Sequence, residues 1–356
     1  MRKRMRIERL LDGSLCIPQG YRSPLTLRER ERAIKLIKDS FQRDLSRALN
    51  LLRVSAPIAV LGNTGVNDNL NGTEKPASFV IKDLNERGEI VQSLAKWKRM
   101  ALADYGFSAG EGIYTDMNAI RPDERLDNLH SLYVDQWDWE RVITAADRNV
   151  AFLQRIVRGI YAAIRRTERK VCRRYPKLLP PFLPPEVRFV HSEDLEERFP
   201  ELSPREREHV ICRMHGAVFV IGIGAPLEMG YPHDGRAADY DDWSTESELG
   251  RPGLNGDLLV WYPVLGGALE LSSMGIRVDP KSLRQQLKMK GEMHKAKLQF
   301  HRRLLRGKLP LTIGGGIGQS RLCMLFLRSA HVGEVQAGIW PEPMRRACHK
   351  HGIDLL

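Results

Sequence analysis

Apolar residues recur at helical spacing at Ile34, Ile37, Phe41, Leu45 and Ala48, and this periodicity predicts a helix over 27–49. Thr26 in front of it and Glu29 three residues on have the form of a capping box. The apolar run at 51–58 reads as a strand stopped by Pro57, which cannot continue a central ladder. Residues 63–75 are rich in Asn, Gly and Asp and read as a loop. Beyond them the pattern predicts a strand pair, 78–84 and 89–91, about a turn at 85–88. A short helix at 94–103 then carries Lys96, Lys98 and Arg99.

Two strands follow at 112–121 and 132–140, joined by a polar loop, and their proximity predicts antiparallel pairing. A long helical pattern over 145–171 leads into a stiff connector containing Pro176, Pro180, Pro181, Pro184 and Pro185. Later come strands at 257–264 and 268–278, a basic helix at 281–306, and a glycine turn at 314–318 opening a helix at 319–327. Strands arrive in clusters with helices between the clusters, not in βαβα alternation. The predicted class is therefore α+β, an antiparallel β-sheet flanked by helices.

Composition adds limits. A chain of 356 residues with 42% hydrophobic content can bury a sizeable core. No stretch approaches the roughly 20 apolar residues that a membrane span needs. Residues 1–24 are basic without a continuous apolar segment and read as a solvated tail, leaving 25–356 as one domain. Cys16, Cys172, Cys212, Cys323 and Cys348 are odd in number, widely spaced and without a CxxC pair. That predicts a reducing, cytoplasmic setting with no disulfide framework and no structural zinc. Cys323, within Leu322-Cys323-Met324-Leu325-Phe326, reads as core. The formal charge of +12 would imply a nucleic-acid partner if it formed one stripe. Much of it falls in pairs such as Arg165-Arg166 and Arg302-Arg303 on helix faces, read here as solvated surface, so neither a nucleic-acid nor a membrane partner is expected.

Three places carry chemistry. The run Gly314 to Arg321, GGGIGQSR, could cradle phosphates through backbone N–H groups at a helix start, or could be no more than a turn. It has neither the Gly-Lys-Ser/Thr of a Walker A loop nor the context of a Rossmann fingerprint. Next, Arg121 ends one strand, and alternation along the following one puts Gln136, Asp138 and Glu140 on one face, with Asp135, Trp137 and Trp139 on the other. Two carboxylates and an amide together suit an ammonium group; a solvent-facing edge is the plainer reading. Last, Asp257 and Glu270 lie at hairpin distance and could hold Mg²⁺ among triphosphate oxygens, or form an ordinary surface pair.

Taken in order, these features resemble the three signature motifs of class II aminoacyl-tRNA synthetases. The helix and strand ending at Pro57 resemble the first, Arg121-Pro122-Asp123-Glu124 with the Val134 strand the second, and GGGIGQSR with Arg321 the third. Ser93, Lys98, the Gln136/Asp138 strand and the run Glu270 to Arg277 resemble the aspartate group of that class. The chain is more similar still to the asparagine synthetase A family, the ammonia-dependent aspartate–ammonia ligases. The similar stretches include Ser93 to Arg99, Phe107 to Gly112, Tyr133 to Arg141, Asp239 to Thr245, Gly253 to Asp257, Glu270 to Arg277 and Thr312 to Arg321.

The resemblance implies a class II synthetase-like catalytic fold and a two-step reaction. The β-carboxylate of L-aspartate attacks the α-phosphorus of ATP, and ammonia then displaces AMP from the β-aspartyl adenylate. It implies catalytic roles for Arg121 at the α-phosphate, Arg321 at the distal phosphates and Asp68 at the incoming ammonium. ATP would be held by Arg121, Asp257, Glu270, Ser273 and Arg321, with Mg²⁺ on Asp257 and Glu270. Because Pro122 interrupts the second motif, either Asp123 or Glu124 takes its acidic role. L-Aspartate would lie end for end relative to its pose in a synthetase, Lys98 and Arg277 gripping its α-carboxylate. Asp68, Gln136 and Asp138 would take its α-ammonium, with Ser93 nearby. Arg2 stands where glutamine-dependent enzymes often carry a nucleophilic cysteine, so free ammonia is the expected donor. Class II folds generally pair through the first motif, which implies a homodimer. Two other readings are an aspartyl-tRNA synthetase-like enzyme charging another acceptor and a non-catalytic RNA-binding regulator. The first lacks room ahead of residue 25 for an anticodon barrel, and the second sits poorly with the presence of Arg121, Arg321, Asp257 and Glu270.

Overall fold

The computed structural model describes residues 7–67 and 74–356. In chain order its strands are β1 (Ile7–Leu10), β2 (Leu15–Pro18), β3 (Leu51–Arg53), β4 (Ala59–Leu61), β5 (Ser78–Ile81), β6 (Glu86–Ile90), β7 (Gly112–Ile120), β8 (Tyr133–Val142), β9 (Arg188–His191), β10 (Ala217–Ile221), β11 (Asn255–Tyr262), β12 (Gly267–Ile276) and β13 (Thr312–Gly318). The helices are α1 (Leu27–Leu49), α2 (Ala95–Asp104), α3 (Val150–Arg174), α4 (Ser192–Arg198), α5 (Pro204–His215), α6 (Pro280–Met289), α7 (Gln299–Leu305), α8 (Gln319–Leu327) and α9 (Glu342–Lys350). Eight strands form one sheet in the order β3-β7-β8-β13-β12-β11-β10-β9, antiparallel except for the parallel pairs β3–β7 and β9–β10 at its two edges.

One face of this sheet carries the main core. Ile37, Phe41 and Leu45 of α1, Leu153, Val157, Ile160 and Ile164 of α3 and most of α8 pack there on Trp137, Trp139, Leu269 and Ile313. The Phe41 and Trp137 rings sit 4.7 Å apart. Cys323 lies in the same core, as its apolar neighbours predict. On the other face, α2 covers β7 and β8 through Leu102, Ile113 and Val142, and α4 and α5 cover β10 and β11 through Leu195, Ile211, Val218 and Val220. Between those two layers the middle strands are left open to a cavity. Among the described residues no helix is long and apolar enough to cross a membrane.

The capping box at Thr26 forms, with Glu29 accepting the Thr26 N–H at 2.9 Å. Several expectations need correction. The strand expected over 51–58 is only three residues long, because the chain leaves the edge after Val54 donates to the Tyr114 carbonyl and turns into β4. The turn expected at 85–88 comes earlier, with Asn85 at φ 50° and β6 already begun at Glu86. The single helix expected over 281–306 is two helices, α6 and α7, broken at Gly291 with φ +69°. Residues 7–18 are a folded hairpin and not a solvated tail. Leu15 and Ile17 are buried in the main core, and the Asn128 amide brackets Cys16, donating to its carbonyl at 2.8 Å and accepting its N–H at 2.6 Å.

The largest correction concerns Gly314–Gly318. It is no turn but part of β13, a central strand paired with β8 on one side and β12 on the other. Glycine is required there for space. A Cβ on Gly314 would lie 1.9 Å from Glu140 Oε2 and 2.5 Å from Arg277 Nη2, and one on Gly316 would lie 2.2 Å from Gln136 Oε1. The strand is a bare ribbon across which Gln136 and Glu140 of β8 and Arg277, just after β12, are laid. Gly314→Ala is expected to cost about 2–3 kcal/mol, since the methyl collides with a buried ion pair that cannot step aside. A urea unfolding midpoint unchanged from wild type would refute this.

Candidate functional site

The cavity has a volume of about 450 Å³ and lies over β8, β13 and β12. Arg121, Ser93, Gln136, Asp138, Glu270, Ser273, Arg277 and Arg321 all line it. Residues separated by some 200 positions in sequence thus meet in one place. Two expected residues stand back from the wall. Lys98 has no exposed side-chain surface and lies beneath Asp138, and Asp257 lies behind Ser273. Asp68 falls outside the described residues.

Strand alternation on β8 works as expected, with Trp137 and Trp139 in the core and Gln136 and Asp138 at the cavity. On β12 it does not. Glu270 and Ser273 are an odd number of residues apart, yet both face the cavity. The register with β11 slips between Leu258 and Leu259, whose partners are Ser272 and Glu270, so Leu271 is an extra residue. A bulge of this kind re-aims side chains next to a site. Here it brings the Ser273 hydroxyl to Asp257 and to within 3.5 Å of Glu270 Oε1.

At one end of the cavity is a buried network. Glu140, fully buried, accepts from Arg277 Nη2 at 2.8 Å and Nε at 3.1 Å and from the Thr312 hydroxyl at 2.7 Å, and it lies 3.8 Å from Lys98 Nζ. Lys98 also donates to Asp138 and, at 2.8 Å, to the Trp139 carbonyl. Burial works to raise the Glu140 carboxyl, but Arg277 and Lys98 outweigh it and hold it below its ordinary value. Burial pulls Lys98 below the usual lysine range despite Asp138 and Glu140. Arg277 also donates to Asp241, which burial raises against the pull of Arg277 and Arg236. Arg277 reaches the cavity, whereas Lys98 lies beneath Asp138 and supports it from below. Asp138 Oδ2 is buried without a hydrogen-bond partner among the described residues.

At the other end, two arginines pair with two carboxylates. Arg236 donates to Asp257 and, at 2.7 Å, to the Ser273 hydroxyl, and Arg321 lies 3.2 Å from Glu270 Oε2. Burial pushes the Asp257 carboxyl up to about 7 against Arg236, with the Glu270 charge adding to the rise. Burial works to raise the Glu270 carboxyl too, but Arg321 and then Arg236 overcome it and lower it. Arg121 follows β7, its N–H held by the Leu132 carbonyl, and its Nε has no hydrogen-bond partner among the described residues.

Sequence reasoning did not single out Arg236, Asp241 or Tyr240. They sit in an irregular segment, and only the motif Asp239-Tyr240-Asp241-Asp242-Trp243, dense in acids beside aromatics, could have drawn attention to them. The segment is pinned from outside the cavity. Asp239 accepts from Lys96 at 2.9 Å and from His301 Nε2 at 2.8 Å, and Asp242 accepts from Arg148 at 2.6 Å.

The arrangement offers one cationic and one anionic group for an amino acid at the Arg277 end, and arginines and paired carboxylates at the Glu270 end. The sequence profile of the aspartate-ammonia ligase family matches residues 28–352. Aspartate–ammonia ligase of Bacteroides fragilis is 57% identical over 340 residues, covering 95% of this chain and 98% of that one. The enzyme of that name from Clostridium tetani is 55% identical over 343 residues, 96% of this chain and 98% of its own. Among solved structures, asparaginyl-tRNA synthetase of Pyrococcus horikoshii, complexed with asparaginyl-adenylate, superposes with a TM-score of 0.66 at 16% identity, over 88% of this chain and 70% of that one. Aspartyl-tRNA synthetase of Entamoeba histolytica superposes at 0.60 with 14% identity, over 86% and 57%. The fold is that of a class II synthetase, and the chain belongs to the aspartate–ammonia ligase family.

Proposed function

We propose that this cavity converts L-aspartate, ammonia and ATP to L-asparagine, AMP and pyrophosphate through a β-aspartyl adenylate. The observation that carries the reading is the placement in one cavity of Glu270, within β12, and Arg277, directly after it, roughly 20 Å apart along the chain. The amino-acid head group and the triphosphate occupy opposite ends of such a site, with the reacting carboxylate and the α-phosphate between them. At the first end, Arg277 pairs with the α-carboxylate. Asp138, with Gln136 and Asp241, takes the α-ammonium, and Ser93 lines the same end. The β-carboxylate then points along β13 toward Arg121, whose free Nε and remaining N–H groups meet the α-phosphate as charge develops there. An oxygen of the β-carboxylate bonds to the α-phosphorus and pyrophosphate leaves. The ammonia nitrogen next bonds to the acyl carbon, AMP departs, and a proton is passed to an acid of the site. Asp68, from the sequence reading, remains our choice for that acid.

Asp257 and Glu270 suit Mg²⁺. They share the Ser273 hydroxyl, and no group of three or more His, Cys, Asp or Glu among the described residues offers a fuller cage. Asp257 and Glu270 would hold Mg²⁺, which when bound would supply positive charge to the phosphates. Arg321 holds the distal phosphates beside it. With the Asp257 carboxyl pushed up to about 7 by burial, that proton must leave before the oxygen can hold a cation. Affinity for Mg²⁺ with ATP is therefore expected to fall about tenfold per pH unit below 7. Titration calorimetry between pH 6 and 8 checks this, and a flat profile would count against Asp257 as a ligand.

The function itself is tested with aspartate, ATP, Mg²⁺ and ammonium chloride and no tRNA. Asparagine and AMP should form in equal amounts; adenylate formation without asparagine would reject ammonia as the acceptor. A homodimer is also proposed. Leu52 on the short edge strand β3 and Ile58 beyond it are 59% and 65% exposed, an apolar pair at the open edge of the sheet. Sedimentation should give twice the chain mass, and Leu52→Glu with Ile58→Glu should give monomers.

A further inference from the structure

The second large concavity lies on the opposite side of the core, along the outer surface of α3, with a volume of about 1030 Å³. Arg158, Arg165, Arg166, Arg169, Arg188 and His215 line it, with Glu186 as the one acid. Arg158, Arg165 and Arg169 recur at i, i+7 and i+11, which puts them on one helix face along about 16 Å. The charge expected to be scattered over helix surfaces is in fact concentrated. The α3 segment carries seven arginines and Lys170 against one acid, Glu168, which turns inward to accept the Phe182 and Leu183 N–H groups. More than half of the chain's formal +12 therefore lies on this one helix.

These guanidiniums are not neutralised in place. Arg165 donates to the Pro185 carbonyl at 2.8 Å, Arg169 to the Arg165 carbonyl at 3.3 Å, and Arg158 to the Gln154 amide at 3.2 Å while stacking 4.8 Å over the Phe189 ring. Among the described residues no ion pair joins Arg158, Arg165, Arg169 or Arg188 to a carboxylate; only Arg166 has one, to Asp44 at 3.4 Å. Elsewhere on the surface arginines do pair, as Arg251 does with Glu193 at 3.2 Å and with Glu197 at 2.8 Å. Neutral partners orient the planar forks and leave their charge unspent, the condition in which arginine binds phosphate bidentately.

We propose that the α3 groove binds the phosphodiester backbone of a single-stranded nucleic acid. The repeat of arginines along the groove matches a ligand with repeated anionic groups, and a flexible strand can enter a concavity that a duplex would only bridge. Phe189 holds the Arg158 guanidinium from beneath and keeps it in the groove. Such a surface lies on the far side of the sheet from the cavity, so occupancy leaves the ligase chemistry free.

The test is fluorescence anisotropy of labelled single-stranded RNA and DNA with the full chain, between ~50 and ~200 mM salt. Binding should weaken linearly on logarithmic axes. Arg158→Glu/Arg165→Glu/Arg169→Glu should lower affinity at least tenfold and reduce the salt slope by about 2, from three phosphate contacts at ~0.7 each. Lys281→Glu/Arg284→Glu/Lys288→Glu on α6 carries the same charge change and should leave binding near wild type. Both variants should make asparagine at the wild-type rate, which shows that they fold. Tighter binding of RNA or of DNA identifies the natural strand. Absence of binding at ~50 mM salt, equal losses in the two variants, or displacement by anionic phospholipid vesicles at matched phosphate would each overturn the proposal.

Discussion

Glu140→Ala is expected to lower unfolding free energy by about 3–5 kcal/mol, the usual cost of removing one partner from a buried ion pair. Glu140 is fully buried and is bonded to Arg277 and Thr312, with Lys98 nearby. Its loss leaves two buried cations facing one another, with only Asp138 and Asp241 to divide between them. Glu140→Gln separates charge from shape. It keeps the volume and an acceptor for Thr312 but withdraws the anion, so most of the loss should persist. Chemical denaturation measures both, with aspartate binding as a second readout, because Arg277 would lose the fork that aims it. A Glu140→Gln protein as stable as wild type would mean that volume, not charge, matters here.

Arg121→Ala is expected to lower kcat by about 10²–10³, the cost of removing one preorganised group aimed at developing charge. Stability should move by no more than about 0.5 kcal/mol, because the lost side chain gives up no hydrogen bond at its Nε among the described residues. The contrast with Glu140 is the point of the pair. Arg121 makes no side-chain hydrogen bond at its buried Nε among the described residues, so the fold gains little from it and the reaction gains much. Pyrophosphate exchange isolates the first step and should fall with asparagine formation. If exchange survived while asparagine formation failed, Arg121 would belong to the ammonia step instead.

How much of this was legible in the sequence depended on how local the cause was. The capping box and helix at 27–49 lay in adjacent residues, and α1 runs over that span. Alternation on β8 was also legible, because Trp137 and Trp139 are apolar enough to announce their face. The glycine run was misread because a turn and a crowded strand both demand glycine. Only the Glu140 and Gln136 side chains crossing from β8 reveal which demand applies, and they are far away in sequence. The Leu271 bulge had no sequence mark either, since an extra residue is visible only against its partner strand. That Lys98 is buried against Asp138 had no sequence mark, since burial depends on the whole fold.

The pairing of Arg236 with Asp257 and of Arg321 with Glu270 has a consequence for how the phosphate end fills. The unliganded protein carries its own internal salt there, each charge already supplied with a counterion. A lone cation at the proposed site would find its two carboxylates paired with arginines, and a lone triphosphate would find Arg321 paired with Glu270. On the proposed function, either one entering by itself would break pairs and strand a charge, most costly at the buried Arg236–Asp257 pair. Entering together they perform a metathesis, in which arginine changes carboxylate for phosphate while carboxylate changes arginine for metal, and the number of satisfied charges never drops. If the site takes both as proposed, each ion would raise its affinity for the other, and thermodynamic reciprocity requires the two enhancements to be equal.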